Sequence, residues 1–532
     1  MVELKTNVLY YGDNLDILRK HIPDESIDLI YLDPPFNSSR SYNVLFRESS
    51  GVSSEAQIEA FEDTWHWGPA AQAAYEEVVM GSHQKVARML QSMVEGLRHN
   101  DVTAYLSMMA VRLVELHRVL KSTGSIYLHC DPTAGPYLRV LMDSVFGPGN
   151  FRNDIVWRRT SAHNDPRRFG SIHDTILYYT KSEKRVWNTQ YSAYSGDYLE
   201  AEWRVGPDGR TYKLENLTAP SHGRQTGRFE WRGRTPPPSR MWRFKEGELE
   251  RLWAAGLIAT GKDGKPLLRG HRIFLDEMPG VPLQDWWGDI LRVGNTAKER
   301  LGYPTQKPLA LLERIVNASS NPGDIVLDPF CGCGTAVHAA QKLGRRWIGI
   351  DITPLATGLI RRRMQNAFPG IEIQVIGEPV DLAGARELAS TKPKHFEYWV
   401  VDKLDAHPTG GKGPDLDGVK PFKEFGGEPK RAVISVKGTK SVNPEMIREV
   451  LGALGPDKPI GILVILAEPT RGMVAQAAAA GPYDSSGQKY QRLQIMTVRE
   501  ILSGKRPSLP SPASPFAKAP TEKEKSQQEP LL

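Results

Sequence analysis

Cysteine is scarce in this chain. Its 532 residues include three, Cys130, Cys331 and Cys333. That is no disulfide framework, and it fits a reducing cytoplasm. Long apolar runs are missing as well: no stretch approaches the roughly 18 uninterrupted apolar residues of a membrane span. The opening MVELKTNVLYYGDN has no basic region followed by an apolar one, so no signal peptide is expected. Together these absences predict a soluble cytoplasmic protein. Charge of one sign is not abundant either. The net charge of +6 admits an anionic partner without requiring one. No repeat of the solenoid type occurs. What remains is length and a hydrophobic content of 40%, enough for two or three globular domains.

Patterning divides the chain. Residues 1–155 read as α/β. SIDLIYLDPP (26–35) is a short apolar run ending in turn residues, as a buried strand does. Apolar residues at helical spacing fill 101–120, with Asp101 as a candidate N-cap. A second strand is predicted over 122–130 and a helix over 136–147, stopped by Gly147 and Pro148. Residues 156–275 break the period. Arg, Trp, Tyr, Gly and Pro interleave in segments such as FEWRGRTPPPSRMWRF. That composition suits an irregular insertion, or a DNA-facing module whose cations meet phosphates and whose aromatics stack on bases. Residues 276–370 return to α/β: the strand DIVLDPF, a Gly-rich turn, a helix, the strand RWIGID and another helix form a β-α-β unit. A linker is expected over 371–395 and a small α/β unit over 396–503. A disordered Pro-, Ser- and Lys-rich tail is expected over 504–532.

Three segments carry candidate chemistry. Asp33-Pro34-Pro35-Phe36 ends a strand. A carboxylate can accept one N–H of an amine while a backbone carbonyl accepts the other. Two prolines turn carbonyls away from a ladder, and an aromatic can stack on a base. A strand-ending Asp before a proline turn is the plainer reading. The second segment is Asp328-Pro329-Phe330-Cys331-Gly332-Cys333-Gly334-Thr335, whose glycines allow close approach of backbone to a ligand. Asp351 ends the following strand, where an acid can meet ribose hydroxyls. Two thiols without nearby Cys or His partners make no tetrahedral metal site. The third is Pro304-Thr305-Gln306-Lys307-Pro308, either a helix start or the wall of a cofactor site.

Taken together, DPPF, GSIYLH (124–129), FRNDIVW (151–157), GYPTQKP (302–308), the DPFCGCGT turn and WIGID resemble the β group of DNA amino-methyltransferases, in that group's order, over about residues 7–365. The resemblance implies a Rossmann-like α/β fold with permuted motif order, catalytic segment before cofactor segment. It implies S-adenosylmethionine as methyl donor and double-stranded DNA with a flipped base as acceptor, and it admits a homodimer. Carried over, Asp33 and the Pro34 carbonyl hold the target amine, Pro35 stiffens the turn, and Phe36 stacks on the base. Phe330, Gly332 and Gly334 line the methionine part of the donor, next to Asp328. Asp351 takes the ribose. Thr305 and Lys307 belong to the cofactor side, and so, less specifically, do Gly12 and Asp13. Tyr31 and Asn37 flank the turn. An Asp at the first motif position favours adenine N6 over cytosine N4. The 156–275 region then holds target recognition.

The C-terminal unit is similar to the restriction-endonuclease-like fold in its Mrr-type branch. Glu397 stands near a helix start, Asp415 and Asp417 follow a Gly-rich loop, and Ser435 and Lys437 share a strand. Such a set would use Mg²⁺ for DNA cleavage in a combined restriction–modification protein. Ser435 departs from the pattern, since an acid or amide is usual there. The alternative is a unit that binds DNA or organises the chain without cutting.

Overall fold

The computed structural model describes the chain except residues 1–3, 36–40, 48–52, 63–65, 163–166, 168, 223–226, 295–296, 298, 302, 304, 410–415, 423–429, 486 and 511–532. Of the hairpin Ser41–Arg47 and Ser53–Glu62, the backbone alone is described. Phe36, Asn37, Asp415 and most of the expected C-terminal tail therefore lie outside the described residues. The chain forms two compact units, one of 1–188 with 285–523 and one centred on 189–284.

The first unit is built on a nine-stranded sheet. Its strands are β1 (Val8–Tyr11), β2 (Ile27–Leu32), β3 (Leu120–Cys130), β4 (Phe151–Arg158), β5 (His173–Thr180), β6 (Trp286–Trp287), β7 (Ile325–Asp328), β8 (Arg346–Asp351) and β9 (Gln374–Ile376), in the order β6-β4-β5-β3-β2-β7-β8-β1-β9. From β3 to β9 every neighbouring pair is parallel; β5 is antiparallel to both β3 and β4. Every residue of β2 is buried, as in a parallel strand covered on both faces. One face packs against the helix α2 (Asp101–Val119), which starts at a capping box between Asn100 and Thr103. The other face is covered by Leu309–Ser319, α3 (Thr335–Lys342) and α4 (Pro354–Ala367).

Strands β2 and β7 are adjacent although nearly 300 residues separate them in sequence, with Leu29 opposite Val326 and Ile30 opposite Leu327. The Asp-Pro-Pro turn after β2 and the Gly-rich turn after β7 therefore leave the same edge of the sheet, side by side. The segment 156–180, expected in the irregular region, supplies the end of β4 and all of β5.

The first unit also contains a five-stranded mixed sheet, with strands β10 (His407–Pro408), β11 (Gly418–Phe422), β12 (Lys430–Lys437), β13 (Ile460–Ile465) and β14 (Leu493–Thr497) in sequence order. The expected linker is partly helical. Leu382–Thr391 is capped by Asp381, which accepts from Gly384 N at 2.8 Å, and α5 (Pro393–Lys403) follows directly. Ala385, Leu388, Phe396, Trp399 and Val400 bury one face of this helix pair on the small sheet. A loop composition concealed that apolar stripe.

The 189–284 unit has a four-stranded antiparallel sheet of Arg204–Val205, Thr211–Glu215, Ile258–Thr260 and Pro266–Phe274. Several of its aromatics are structural. Trp231 and Trp242 are buried with Leu217 and Leu249, and Arg232 lies over the Trp253 ring at 4.6 Å. They are not a free row of stacking platforms. In the described residues no helix is long and apolar enough to cross a membrane.

Candidate active site

The two turns share one cavity. Asp33, Pro34 and Pro35 line it together with Asp328, Phe330, Gly332, Thr335 and Asp351; Gly12, Asp13, Tyr31, Thr305 and Lys307 complete the wall. Residues from five stretches of sequence thus converge where the parallel strands end, the usual place for a ligand in such a sheet.

The Gly-rich turn is shaped for close approach. Gly332 (φ +52°) and Gly334 (φ +75°) lie in the left-handed region. A Cβ on Gly334 would sit 2.9 Å from Ile360, and one on Gly332 would come within 3.3 Å of the Tyr303 ring. Gly332 N donates to Asp351 Oδ2 at 2.8 Å, and Thr353 N donates to Asp351 Oδ1 at 2.9 Å. Burial pushes the Asp351 carboxyl up to about 6 despite these donors. Asp328 is buried and is likewise pushed well above the carboxylate range, desolvation outweighing the Phe330 N–H it accepts. Burial holds Cys331 and Cys333 as thiols. Among the described residues, no group of three or more His, Cys, Asp or Glu is arranged to hold a metal.

Lys307 is part of the cavity wall. It is buried, and its Nζ forms an ion pair with Asp33 Oδ2. Its carbonyl accepts from Thr335 Oγ1 at 3.3 Å. One residue thereby joins the proline turn to the helix after the glycines. Asp13 caps α1 (Asn14–His21), accepting from Leu15 N at 2.8 Å.

Asn14 and Arg112 also line the cavity, and the sequence pattern does not point to either. Asn14 Nδ2 donates to the Pro329 carbonyl at 2.9 Å. The buried Arg112 donates to Asn14 Oδ1 at 2.6 Å and to both Asp13 oxygens at 3.0 Å. The available signal was an arginine inside the apolar stripe of α2, since a buried guanidinium needs partners.

The cavity fits a donor such as S-adenosylmethionine in one testable respect. The glycine cradle leaves open the space that side chains would fill, and carboxylates face a ligand that carries cationic groups. Gly332 and Gly334 would hold the donor's chain, with Asp351 beside its ribose.

In the small sheet, Asp417 stands just before β11, and Ser435 and Lys437 lie on β12. Asp417 Oδ2 accepts from Val436 N at 2.7 Å. Burial raises the Asp417 carboxyl, with Glu397 adding to the rise and Lys437 opposing it. These three charges are therefore neighbours. The Lys437 ammonium pairs with Glu449 at 2.8 Å. Ser435 is fully buried, and its Oγ has no hydrogen-bond partner among the described residues. This donor set does not fit Mg²⁺, which asks for several accessible oxygens in octahedral array.

Residues 27–359 match the family model described as DNA methylase. The chain is 30% identical over 363 residues to the type II methyltransferase M.EcaI of Enterobacter cloacae, covering 68% of this chain and 69% of that one. It is 26% identical over 366 residues to the DNA adenine methyltransferase YhdJ of Escherichia coli, covering 69% and 84% respectively. The solved PvuII DNA methyltransferase (cytosine-N4-specific) aligns at 16% identity, with a TM-score of 0.30, over 70% of this chain and 92% of that one. The chain belongs to the DNA methylase family of adenine-N6 and cytosine-N4 methyltransferases, and it is a DNA methyltransferase.

Proposed function

We propose that this DNA methyltransferase moves a methyl group from S-adenosylmethionine to adenine N6 at a defined site in double-stranded DNA, after the base is flipped out of the stack. The observation that carries this reading is the shared cavity of the Asp33-Pro34-Pro35 turn and the Gly332–Gly334 turn. When bound, the donor supplies a sulfonium methyl for in-line displacement.

The chain's own residues do the rest. The Asp33 carboxylate and the Pro34 carbonyl accept the two amine N–H groups and draw the nitrogen towards tetrahedral geometry. Lys307, paired with Asp33, keeps that carboxylate aimed as the amine approaches. Pro34 and Pro35 fix the turn so that its carbonyls face the pocket. The name of the adenine methyltransferase relative and the Asp at the first motif position favour adenine over cytosine. Chain order, with the Asp-Pro-Pro strand well before the Gly-rich strand, is what a permuted member would have. Residues 189–284 are the candidate for target recognition.

The test is tritium transfer from labelled donor to unmethylated genomic DNA, followed by identification of the modified base. Asp33→Ala is expected to abolish transfer while leaving donor binding by calorimetry largely intact. A variant that methylates at near-normal rate removes the role given to Asp33.

For the C-terminal unit we propose a restriction-endonuclease-like scaffold that does not cut. The support is Ser435, buried where a metal-binding acid would be needed. Incubating unmethylated plasmid DNA with the full chain and Mg²⁺ is expected to leave it intact. Cleavage that disappears in Lys437→Ala or Asp417→Ala would restore the bifunctional reading.

A further inference from the structure

Tyr31 stands two residues before Asp33, and both line the cavity. The phenol is nearly inaccessible, at 3% exposure, and its Oη lies 3.1 Å from Nδ1 of His129 on β3. His129 is completely buried. Its Nε2 lies 3.2 Å from Asp174 Oδ2 on β5. Arg159 Nε stands 3.3 Å from the other Asp174 oxygen, and Trp157 packs edge-on against the imidazole at 5.5 Å. Three hydrogen-bonding side chains thus cross three adjacent strands, starting at the cavity beside Asp33.

Protonation follows from the partners. Burial would raise the Asp174 carboxyl, but the hydrogen bond from His129 and the nearby cations Arg159 and Lys307 hold it below the carboxylate range. It therefore accepts, so His129 presents N–H at Nε2 and a lone pair at Nδ1. Burial, with Asp33, Asp328 and Asp174 nearby, keeps the Tyr31 phenol protonated. It donates to His129 and leaves its own lone pairs for the cavity.

An amine that gains a methyl must lose a proton, and the other groups along the cavity are committed. Asp33 holds both Lys307 and one amine N–H. Asp328 holds its own proton. Asp351 is occupied by the N–H groups of Gly332 and Thr353.

We propose that Tyr31, His129 and Asp174 form a proton relay that takes up the proton released by the target amine. The proposal rests on the methyl-transfer reading above. The N–C bond forms as the sulfonium S–C bond breaks. The amine proton on the Pro34 side, released because a carbonyl is no base, passes to Tyr31 Oη, the phenol's own proton passes to His129 Nδ1, and the Asp174 carboxylate stabilises the imidazolium. The donor leaves as a neutral thioether. One proton has moved from the amine to His129, and it returns to solvent by the same route after the product leaves. Tyr31 is the group that meets the substrate; His129 and Asp174 act through it as positioning residues.

The test uses the full chain with tritium-labelled S-adenosylmethionine and unmethylated genomic DNA, in single turnover. The variants are His129→Gln, Tyr31→Phe and the double variant. Glutamine can still accept from Tyr31 and donate to Asp174, but it does not take up the proton. Each single variant is expected to slow transfer at least ~10-fold, with donor affinity, KM for DNA and thermal midpoint near those of the wild type. The double variant is expected to be no slower than the slower single, because both changes cut one chain. Transfer by His129→Gln or Tyr31→Phe within twofold of wild type overturns the relay, and so do additive losses. Should His129→Gln prove unstable, Tyr31→Phe decides alone. A wild-type chain that moves no label refutes methyl transfer itself, and the relay with it; active wild type beside unaffected variants sinks the relay only.

Discussion

At the scale of single residues, the site depends on how burial treats its carboxyls. Asp351 has its carboxyl raised from 3.8 to about 6 by desolvation. The folded state therefore prefers the protonated form. That contribution to stability is complete below pH 3.8 and is lost as pH rises through about 6. A donor that uses the Asp351 carboxylate must bind in the opposite sense. Its affinity is expected to weaken as pH falls through about 6, approaching ~10-fold per unit below that point. Asp351→Ala should weaken the donor at every pH and flatten the profile. Calorimetric affinities that stay constant from about pH 5 to 8 in the wild type would remove Asp351 from donor binding. Asp33, Asp328 and the glycines could be picked out from sequence because their motif is local: strand end, turn, helix. The partner of Lys307 could not, because Asp33 is 274 positions away and only strand order brings the two together. Asn14 and Arg112 escaped notice for the same reason, their partners lying on other elements.

At the scale of elements, the turn between β7 and α3 decides the shape of the cavity. Gly334→Ala would force a side chain into a positive-φ position, 2.9 Å from Cγ1 and Cγ2 of Ile360. We expect a loss of ~1–3 kcal/mol in stability together with weaker donor binding, because α4 must move. Thermal denaturation and calorimetry on the same sample check both; an Ala variant with unchanged midpoint and affinity would show that the turn tolerates the side chain. Helix α5 shows where sequence patterning falls short. The pattern places a helix start near Glu397 and a linker before it, whereas Leu382–Thr391 is already helical. A capped 10-residue helix owes its stability to the surface it packs on, which no local window contains.

At the scale of the whole molecule, the C-terminal unit is anchored to the methyltransferase core. Asp402 on α5 pairs with Arg361 Nη2 at 2.6 Å and with Arg362 Nη1, both on α4. Gly358 is required for this approach, since a Cβ there would lie 2.0 Å from Asp402. Tyr398 of α5 packs with Tyr303, Cys333, Leu355 and Leu359 at the back of the donor cavity. Asp402→Ala leaves a buried guanidinium without its carboxylate. It is expected to cost ~3–5 kcal/mol and to lower donor affinity with it. A change below ~1 kcal/mol by denaturant unfolding, the range of an exposed pair, would show that the anchor is dispensable.

The sequence alone determined the local chemistry: which strands end in acids and prolines, which turn needs glycine, and which runs are apolar enough to be buried. Those properties depend on neighbours a few positions away, and composition and periodicity record them. Only the tertiary structure decided which of these pieces meet. The adjacency of β2 and β7, the pairing of Lys307 with Asp33, the chain from Tyr31 to Asp174 and the seating of α5 on α4 all arise from strand order and helix packing. They are contacts between residues tens to hundreds of positions apart, selected by the burial of whole faces rather than by any one segment.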